Sequence, residues 1–218
     1  MIETELKFLG KDTDLERLFN QAVGNASVEE YTFTTRYYDI NNALFDSGYA
    51  LRQYMNEGIH HARAEIKQLR GHNRLELSRN GTNVIELYNN MARSFEYPAD
   101  CPILNAGDLA PTVNTECVRI ESVKTINLGG LSAEIELSLD DIRYYDAKTR
   151  YKYANEYELE VEIKSLSDGI GFVKPDEWVV MDLQDYLFEN FTTRGVKPTV
   201  DGKLVRALDY LPSKLEVA

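Results

Sequence analysis

The sequence predicts an α+β protein in which antiparallel strands form a barrel or a strongly curved sheet. Hydrophobic and polar residues alternate with a period of two in about eight or nine short segments, which is typical of half-buried strands. Amphipathic helical segments interrupt and follow this pattern. The polar positions of several strands hold almost only Glu, Arg and Lys, which indicates that this face of the sheet has a chemical role.

The strands are predicted from their alternation and from the turns between them. Gly129 and Gly130 separate two of the segments, and a Gly-Gly pair supplies the positive φ angles of a tight hairpin. Residues 97–115 contain three prolines and are predicted to form a long connection. The predicted strands are 2–8, 30–38, 49–55, 61–69, 74–78, 118–126, 132–139, 143–151 and 156–164, the last two forming an antiparallel pair.

Four segments are predicted to be helical, and a fifth fits either a helix or a strand. The first helix is expected to begin at Asp12 or Thr13, which can cap its first turn, and to end at Gly24. The clearest helix carries Val180 and Leu187 at core-facing offsets. In chain order the helical segments are 12–24, 42–48, 176–191 and 203–211, and the ambiguous segment is 85–92.

Composition excludes several classes of protein. The 218 residues include 24 Lys and Arg against 36 Asp and Glu, a net charge of −12 that disfavours a nucleic-acid-binding protein with a basic face. Cys101 and Cys117 are too few for a disulfide framework and match no metal-ligand spacing. No apolar run is long enough to span a membrane. We therefore expect one cytoplasmic domain covering residues 1–218, with no membrane or nucleic-acid partner.

The charged positions of five strands favour a barrel with a charged lumen. An antiparallel sheet with one wet face would explain any one of these strands. Taken together, however, they carry few of the neutral polar residues of a solvated face, and the amphipathic helices need an apolar sheet surface to cover. The positions are Glu3, Glu5 and Lys7; Arg63, Glu65 and Lys67; Arg74, Glu76 and Ser78; Glu134, Glu136, Ser138 and Asp140; and Glu158, Glu160, Glu162 and Lys164.

A lumen of this composition is suited to a metal-bound polyphosphate. Carboxylates close to one another repel, and burial raises their pKa values unless a cation neutralises them. Clusters of oxygen ligands suit magnesium, manganese or calcium better than zinc. Arginine and lysine side chains in the same cavity favour an anion, and phosphate is the anion that they bind best.

Several short motifs follow one another along the chain. They are residues 3–8 (E-T-E-L-K-F), 36–39 (R-Y-Y-D), 50–52 (A-L-R) with Leu44 and Gly48 before them, 64–67 (A-E-I-K), 136–140 (E-L-S-L-D), 158–163 (E-L-E-V-E-I), and Lys203 with Arg206. In this order they resemble the triphosphate tunnel metalloenzymes, also called CYTH domains. The N-terminal E-x-E-x-K pattern is that family's signature, and the late E-x-E strand follows at the expected distance.

The resemblance implies a closed eight-stranded antiparallel β-barrel, a triphosphate tunnel with flanking helices that uses Mg2+ or Mn2+. Glu160 and Glu162 would hold the metal that bridges the phosphate chain. Glu3 and Glu5 would support a second metal or the attacking water, with Asp140 near them, so that Glu3, Glu5 and Lys7 form the catalytic set. The residues expected to bind phosphate oxygens are Lys7, Arg52, Lys67, Arg74, Arg119 and Lys203.

The resemblance leaves the substrate open. Tyr54 occupies a position that is commonly basic in the family, so one phosphate contact is missing or is supplied from elsewhere. Because no aromatic clamp for a base is evident in the lumen, hydrolysis of inorganic tripolyphosphate to diphosphate and phosphate is favoured. A class IV adenylate cyclase, a thiamine triphosphatase, and a non-catalytic polyphosphate or nucleotide-binding module are the alternatives. The expected partner is a small-molecule triphosphate, and a homodimer is left open.

Overall fold

The computed structural model describes residues 2–56 and 61–210, apart from the side chains of Ile2 and Glu177. Leu211, the last residue of the predicted C-terminal helix, lies outside this range. Within it the chain forms one antiparallel sheet and five α-helices. None of the described helices is both long enough and apolar enough to cross a membrane.

Eight strands form a closed antiparallel barrel, as the sequence predicted. Around the barrel their order is β1-β8-β7-β6-β2-β3-β4-β5, and β5 returns to β1. β1 closes the barrel because it pairs with β5 at residues 2–4 and with β8 along residues 4–10. The strands are β1 (Ile2–Gly10), β2 (Glu29–Asp39), β3 (Tyr49–Asn56), β4 (His61–Gln68), β5 (Asn73–Asn80), β6 (Ala110–Leu128), β7 (Leu131–Asp146) and β8 (Lys152–Ser167), and a short β9 (Lys197–Thr199) lies against β1.

The strands of the second half are longer than predicted. Residues 143–151 are not a separate strand, because 143–146 continue β7 and the chain then turns. The Asp146 carboxylate accepts hydrogen bonds from the backbone of Lys148 and Thr149, which fixes this turn. The predicted connection 97–115 likewise ends early, because β6 begins at Ala110. Alternation alone misses these extensions because long strands pass from the barrel core to solvent.

Most of the helices cover the outer wall of the barrel, as predicted. The ambiguous segment 85–92 forms a helix. The Asn83 side chain caps this helix by accepting a hydrogen bond from the backbone N–H of Glu86. The first helix ends at Gly24, whose φ of +62° suits glycine. The helices are α1 (Asp12–Val23), α2 (Ala43–Asp46), α3 (Val84–Ala92), α4 (Glu177–Asn190) and α5 (Lys203–Tyr210).

The hydrophobic cores lie mainly between these helices and the outer face of the sheet. Leu15 and Leu18 of α1 and Leu183 of α4 pack against the outward side chains of β1, β7 and β8. Tyr88 and Met91 of α3 pack in the same way against β3, β4 and β5. Apolar side chains therefore point outwards beneath the helices, which leaves the other face of each strand for the lumen.

The helix α5 packs into one end of the barrel. Leu204 and Val205 are buried among inward-facing side chains of neighbouring strands, which include Ile142 and Tyr144 of β7. Arg206 is buried beside them and forms ion pairs with Glu156 at 2.7 Å and with Glu158 at 2.5 Å. We call this the α5 end of the barrel.

Candidate active site

Side chains from alternate positions of all eight barrel strands line a cavity of about 260 Å³. Their alternation is the one seen in the sequence, so the predicted charged face is the inner face. Eight cationic side chains and five acidic ones lie on the wall of this inner cavity. The cations are Lys7, Arg52, Arg63, Lys67, Arg74, Arg119, Lys164 and Lys203, and the acids are Glu3, Glu121, Glu136, Glu160 and Glu162.

All six residues predicted to bind phosphate line the inner cavity. Lys7 forms ion pairs with Glu160 and, at 2.6 Å, with Glu5. The Lys203 ammonium nitrogen lies 3.1 Å from a carboxylate oxygen of Asp140. Arg119 donates two hydrogen bonds to the same carboxylate, at 2.7 and 2.8 Å. Lysine and arginine from distant parts of the chain thus meet on one wall. Their roles in binding remain predictions.

Lys67 and Lys203 are held in the charged state on this wall. Burial disfavours the charged form of Lys67, but the carboxylates of Glu5 and Glu3 outweigh it and raise its pKa. Burial likewise opposes the charge on Lys203, and Glu158 and Asp140 raise its pKa. At neutral pH these groups are fixed positive charges that are suited to binding anions.

The predicted metal residues do not all face the cavity. Glu3, Glu160 and Glu162 line it, whereas Glu5 and Asp140 lie behind the wall and pair with its cations. Arg74 lines the cavity, but its guanidinium also donates to the backbone of Gly71 and Val200 and contacts Glu5. In this structure Glu5, Asp140 and Arg74 therefore hold neighbouring groups in place.

Acidic groups of the cavity differ sharply in their ionisation. Burial disfavours the charge on Glu3, but the Lys67 ammonium lowers its pKa to about 2. Burial and the negative charge of Glu3 raise the pKa of Glu162 to about 7, and Lys164 only partly compensates. Glu162 is therefore a partly buried carboxyl group whose charge Lys164 does not fully offset.

This donor set fits a hard divalent cation in its chemistry. Carboxylate oxygens are the ligands that Mg2+ and Mn2+ prefer, and a cation beside Glu162 would favour its ionised form. In the part of the chain that the structure describes, no three acidic, His or Cys side chains already converge as a metal site. Lys7 and Lys67 contact the oxygen atoms that a metal would use, on Glu160 and Glu3.

Arg63 lies on the predicted charged face of its strand, but it is not among the residues predicted to bind phosphate. It lies directly opposite Tyr54 in the pairing of β3 with β4, and its guanidinium lies over the Tyr54 ring, 4.6 Å from the centroid. It also contacts Glu65 and lines the inner cavity. The positive charge missing at position 54 is thus present one strand away. In the sequence, the alternation of Arg63 with Glu65 and Lys67 was the feature that could have indicated its role in the site.

From the sequence no aromatic clamp for a base is evident in the lumen, but aromatic residues do line it. Tyr31, Phe33, Tyr37 and Tyr54 line the inner cavity together with the charged side chains. They alternate along β2 and β3 as the charged residues do along the other strands. Aromatic residues are common in the core-facing positions of any strand, so the sequence alone did not distinguish the two faces.

Comparison with solved structures identifies the architecture. A "putative adenylate cyclase" from Bacillus halodurans superposes with a TM-score of 0.55 at 17% identity, covering 94% of this chain and 96% of that one. The "putative adenylyl cyclase" of Hippeastrum, described as having a dominant triphosphatase activity, gives 0.58 at 15% identity over 98% and 99%. The chain has the CYTH fold.

A third structure with the CYTH fold supports this identification. The "putative adenylate cyclase" from Vibrio parahaemolyticus gives a TM-score of 0.52 at 12% identity, covering 96% of this chain and 98% of that one. No family model and no curated protein matches the sequence. The likeness therefore concerns the fold, and the resemblance drawn from the sequence motifs is confirmed at that level.

Proposed function

We propose that this protein hydrolyses a phosphoanhydride bond of a triphosphate with the help of a divalent metal ion. The observation that carries the proposal is the concentration of cationic side chains around a lumen of about 260 Å³ in a chain whose net charge is −12. A protein this acidic gathers buried lysines and arginines around one cavity where they face an anionic ligand. The CYTH neighbours, one of which has triphosphatase activity, support the same class of substrate.

In this proposal the cations of the wall bind and align the phosphate chain. Arg52, Arg63 and Arg119 offer planar guanidinium groups for paired hydrogen bonds to phosphate oxygens, whereas Lys7, Lys67 and Lys203 act as point charges. Each of these side chains already pairs with a carboxylate, so a bound phosphate group would replace that carboxylate as its partner. Positioning and charge neutralisation of this kind supply most of the catalysis in phosphoryl transfer.

Glu3, Glu160 and Glu162 are the residues that would hold the metal ion, with Glu5 and Asp140 behind them. When bound, Mg2+ or Mn2+ would neutralise charge on the phosphates and favour attack by water. Glu3 has a pKa of about 2 and is ionised at neutral pH, so it is suited to orienting the attacking water. Glu5 supports this arrangement through its contacts with Lys7 and Arg74.

Inorganic tripolyphosphate is the smallest substrate that this proposal allows, because it uses only the charged part of the cavity. The alternatives are cyclisation of ATP, hydrolysis of thiamine triphosphate, and binding without catalysis. We expect a small-molecule substrate and no nucleic-acid partner, consistent with the acidic composition. We propose a cytoplasmic location, as the sequence suggested.

The deciding experiment is a substrate panel with matched products. Purified protein is incubated with tripolyphosphate, ATP or thiamine triphosphate, with Mg2+, Mn2+ or excess EDTA, and orthophosphate, diphosphate and cyclic AMP are quantified. Metal-dependent release of orthophosphate supports the proposal. Cyclic AMP with diphosphate would indicate the cyclase, and calorimetric binding without any product would indicate the binding module.

A further inference from the structure

A second cavity lies at the end of the barrel opposite α5. Its volume is about 480 Å³, and it shares Tyr31, Tyr54, Arg63 and Glu121 with the inner cavity, so the two adjoin at these side chains. Residues of β2, β3, β4 and β6 form its walls. We call it the outer cavity.

A row of aromatic rings lies where the two cavities adjoin: Tyr31, Tyr54 and His61 line the outer cavity, and Phe33 lines the inner one. The centroids of Tyr31 and Phe33 are 6.0 Å apart, those of Phe33 and Tyr54 4.8 Å, and those of Tyr54 and His61 6.4 Å. Tyr31 is fixed by a hydrogen bond of 2.7 Å from its hydroxyl group to Glu121. The Arg63 guanidinium, whose carbon lies 4.6 Å from the centroid of the Tyr54 ring, makes a cation–π contact and offers a planar group on which a ring can stack.

The position of this row matters because the other end of the barrel is filled. Leu204 and Val205 of α5 are buried among the inward side chains at that end. A phosphate chain bound by Lys7, Lys67 and Lys203 can therefore extend an attached organic group only towards the outer cavity.

Charge in the outer cavity does not suit a further phosphate. Glu29, Glu30 and Glu121 contribute three carboxylates there, against the single guanidinium of Arg63. The outer cavity would thus add nothing to the binding of tripolyphosphate. An uncharged or positively charged ring would avoid repulsion by its carboxylates.

We propose that the outer cavity binds the aromatic group of an organic triphosphate, and that the preferred substrate is an ester of this kind. The inference rests on the proposed function of the inner cavity and specifies its substrate class. Tyr54 is the central specificity residue, because it lies between Phe33 and His61 and supports Arg63.

The test compares kcat/KM for ATP and CTP with that for methyl triphosphate, which has the same phosphate chain without a ring, and with that for tripolyphosphate. The ring preference is the ratio of kcat/KM for ATP to that for methyl triphosphate. We expect it to be at least about fivefold, the lower end for stacking of one base on an aromatic side chain. Dissociation constants for the same two compounds, measured by calorimetry in EDTA, give the ratio without catalysis.

Variants at position 54 test whether the aromatic ring of Tyr54 is responsible for the ring preference. Tyr54→Leu should reduce the ring preference to about one, whereas Tyr54→Phe should retain it. Tyr145→Leu is the control, because Tyr145 is a strand tyrosine of β7 that lines neither cavity. It should leave the ratio unchanged, and melting temperatures show which variants are folded.

The outcomes distinguish this inference from the proposed function. Hydrolysis of tripolyphosphate or methyl triphosphate at least as efficient as that of ATP would overturn the inference and leave the triphosphatase intact. A ring preference that survives in Tyr54→Leu would also overturn it. Ring-dependent binding of ATP without any hydrolysis would support the inference and contradict the proposed enzyme.

Discussion

Glu160 and Glu162 lie two residues apart on β8, yet their surroundings shift their pKa values in opposite directions. Burial disfavours both charges, but the ammonium groups of Lys7 and Lys203 hold the pKa of Glu160 well below its usual value. Glu162 has only Lys164 beside it and has Glu3 as a negative neighbour, so its pKa is raised to about 7. The same residue type in the same strand therefore has two different electrostatic roles.

We predict that Glu162→Gln stabilises the metal-free protein above neutral pH. A carboxyl group whose pKa rises from 4.5 to about 7 on folding costs stability, and this cost grows between these pH values and is constant above them. The variant should gain about 1–3 kcal/mol at pH 8 in EDTA and nothing below pH 4.5. Urea unfolding at both pH values is the measurement, and equal stability at pH 8 would contradict the assignment.

Glu160→Gln should have the opposite effect on stability and a large effect on activity. Because the pKa of Glu160 is lowered, its charge stabilises the fold above about pH 4.5, and the variant loses about 1–3 kcal/mol there. A simple repulsion argument from the sequence would have predicted a gain. We also expect turnover to fall at least ~10²-fold, about 2.7 kcal/mol of transition-state stabilisation.

Glu134→Gln is the control for Glu160→Gln, since Glu134 is exposed on β7. Steady-state phosphate release and urea unfolding at pH 7.5 provide the two readouts. A Glu160→Gln protein as fast as the wild type would refute a metal or substrate role for this carboxylate. If the Glu160→Gln protein were more stable than the wild type in EDTA, the assignment of stabilising ion pairs to Glu160 would be refuted.

Among the elements, α5 is the one that joins the C-terminal part of the described chain to the lumen. It provides Lys203 to the cavity wall and Arg206 to a buried cluster with Glu156 and Glu158. Tyr144 donates its hydroxyl hydrogen to Glu156 as well. The helix therefore both closes one end of the barrel and positions a cation.

We predict that Arg206→Ala destabilises the protein by about 3–5 kcal/mol, because it leaves Glu156 and Glu158 buried without this cation. Asp209→Ala, on the exposed side of the same helix, should change the free energy of unfolding by less than about 0.5 kcal/mol. Urea unfolding at pH 7 compares the two. A small effect of Arg206→Ala would show that the cluster does not hold α5 in place.

At the scale of the whole molecule, the barrel has a charged interior and an apolar outer wall that the helices cover. Two groups of its carboxyl side chains have pKa values shifted in opposite directions. The pKa values of Glu65, Glu158 and Glu160 are lowered because their cationic neighbours outweigh burial. Burial and like charges raise those of Glu76 and Glu162 to about 7. Stability should therefore depend on pH in two separate ranges.

We predict that the metal-free protein is most stable between about pH 4.5 and 6. Below this range the unfolded chain binds protons that the groups with lowered pKa values do not bind in the folded protein, so stability falls. Above it the groups with raised pKa values ionise more readily in the unfolded chain than in the folded protein, which also lowers stability. Melting temperatures in EDTA from pH 3 to 9 test this. Added Mg2+ should shift the maximum to higher pH, and a metal-free stability that rises steadily to pH 8 would contradict the prediction.

Alternation in the sequence was enough to predict the class of fold and the inner face of most strands. Period two places Glu3, Lys7, Lys67 and Glu160 on one face whatever the register, because successive side chains of a strand point to opposite sides. Helices with one apolar stripe need an apolar surface, so the charged face had to be the inner one. The N-terminal charge pattern and the late E-x-E strand then indicated the family.

Tertiary structure alone decided which of those residues meet. Arg63 faces Tyr54 only because β3 pairs with β4 in this register, and Glu5 lies behind the wall only because Lys7 and Arg74 cover it. Opposite pKa shifts at Glu160 and Glu162 depend on charges from β1 and α5, far away in the sequence. Strand periodicity is a local property of the chain, whereas neighbours across a closed barrel are set by pairing and burial, which no local pattern contains.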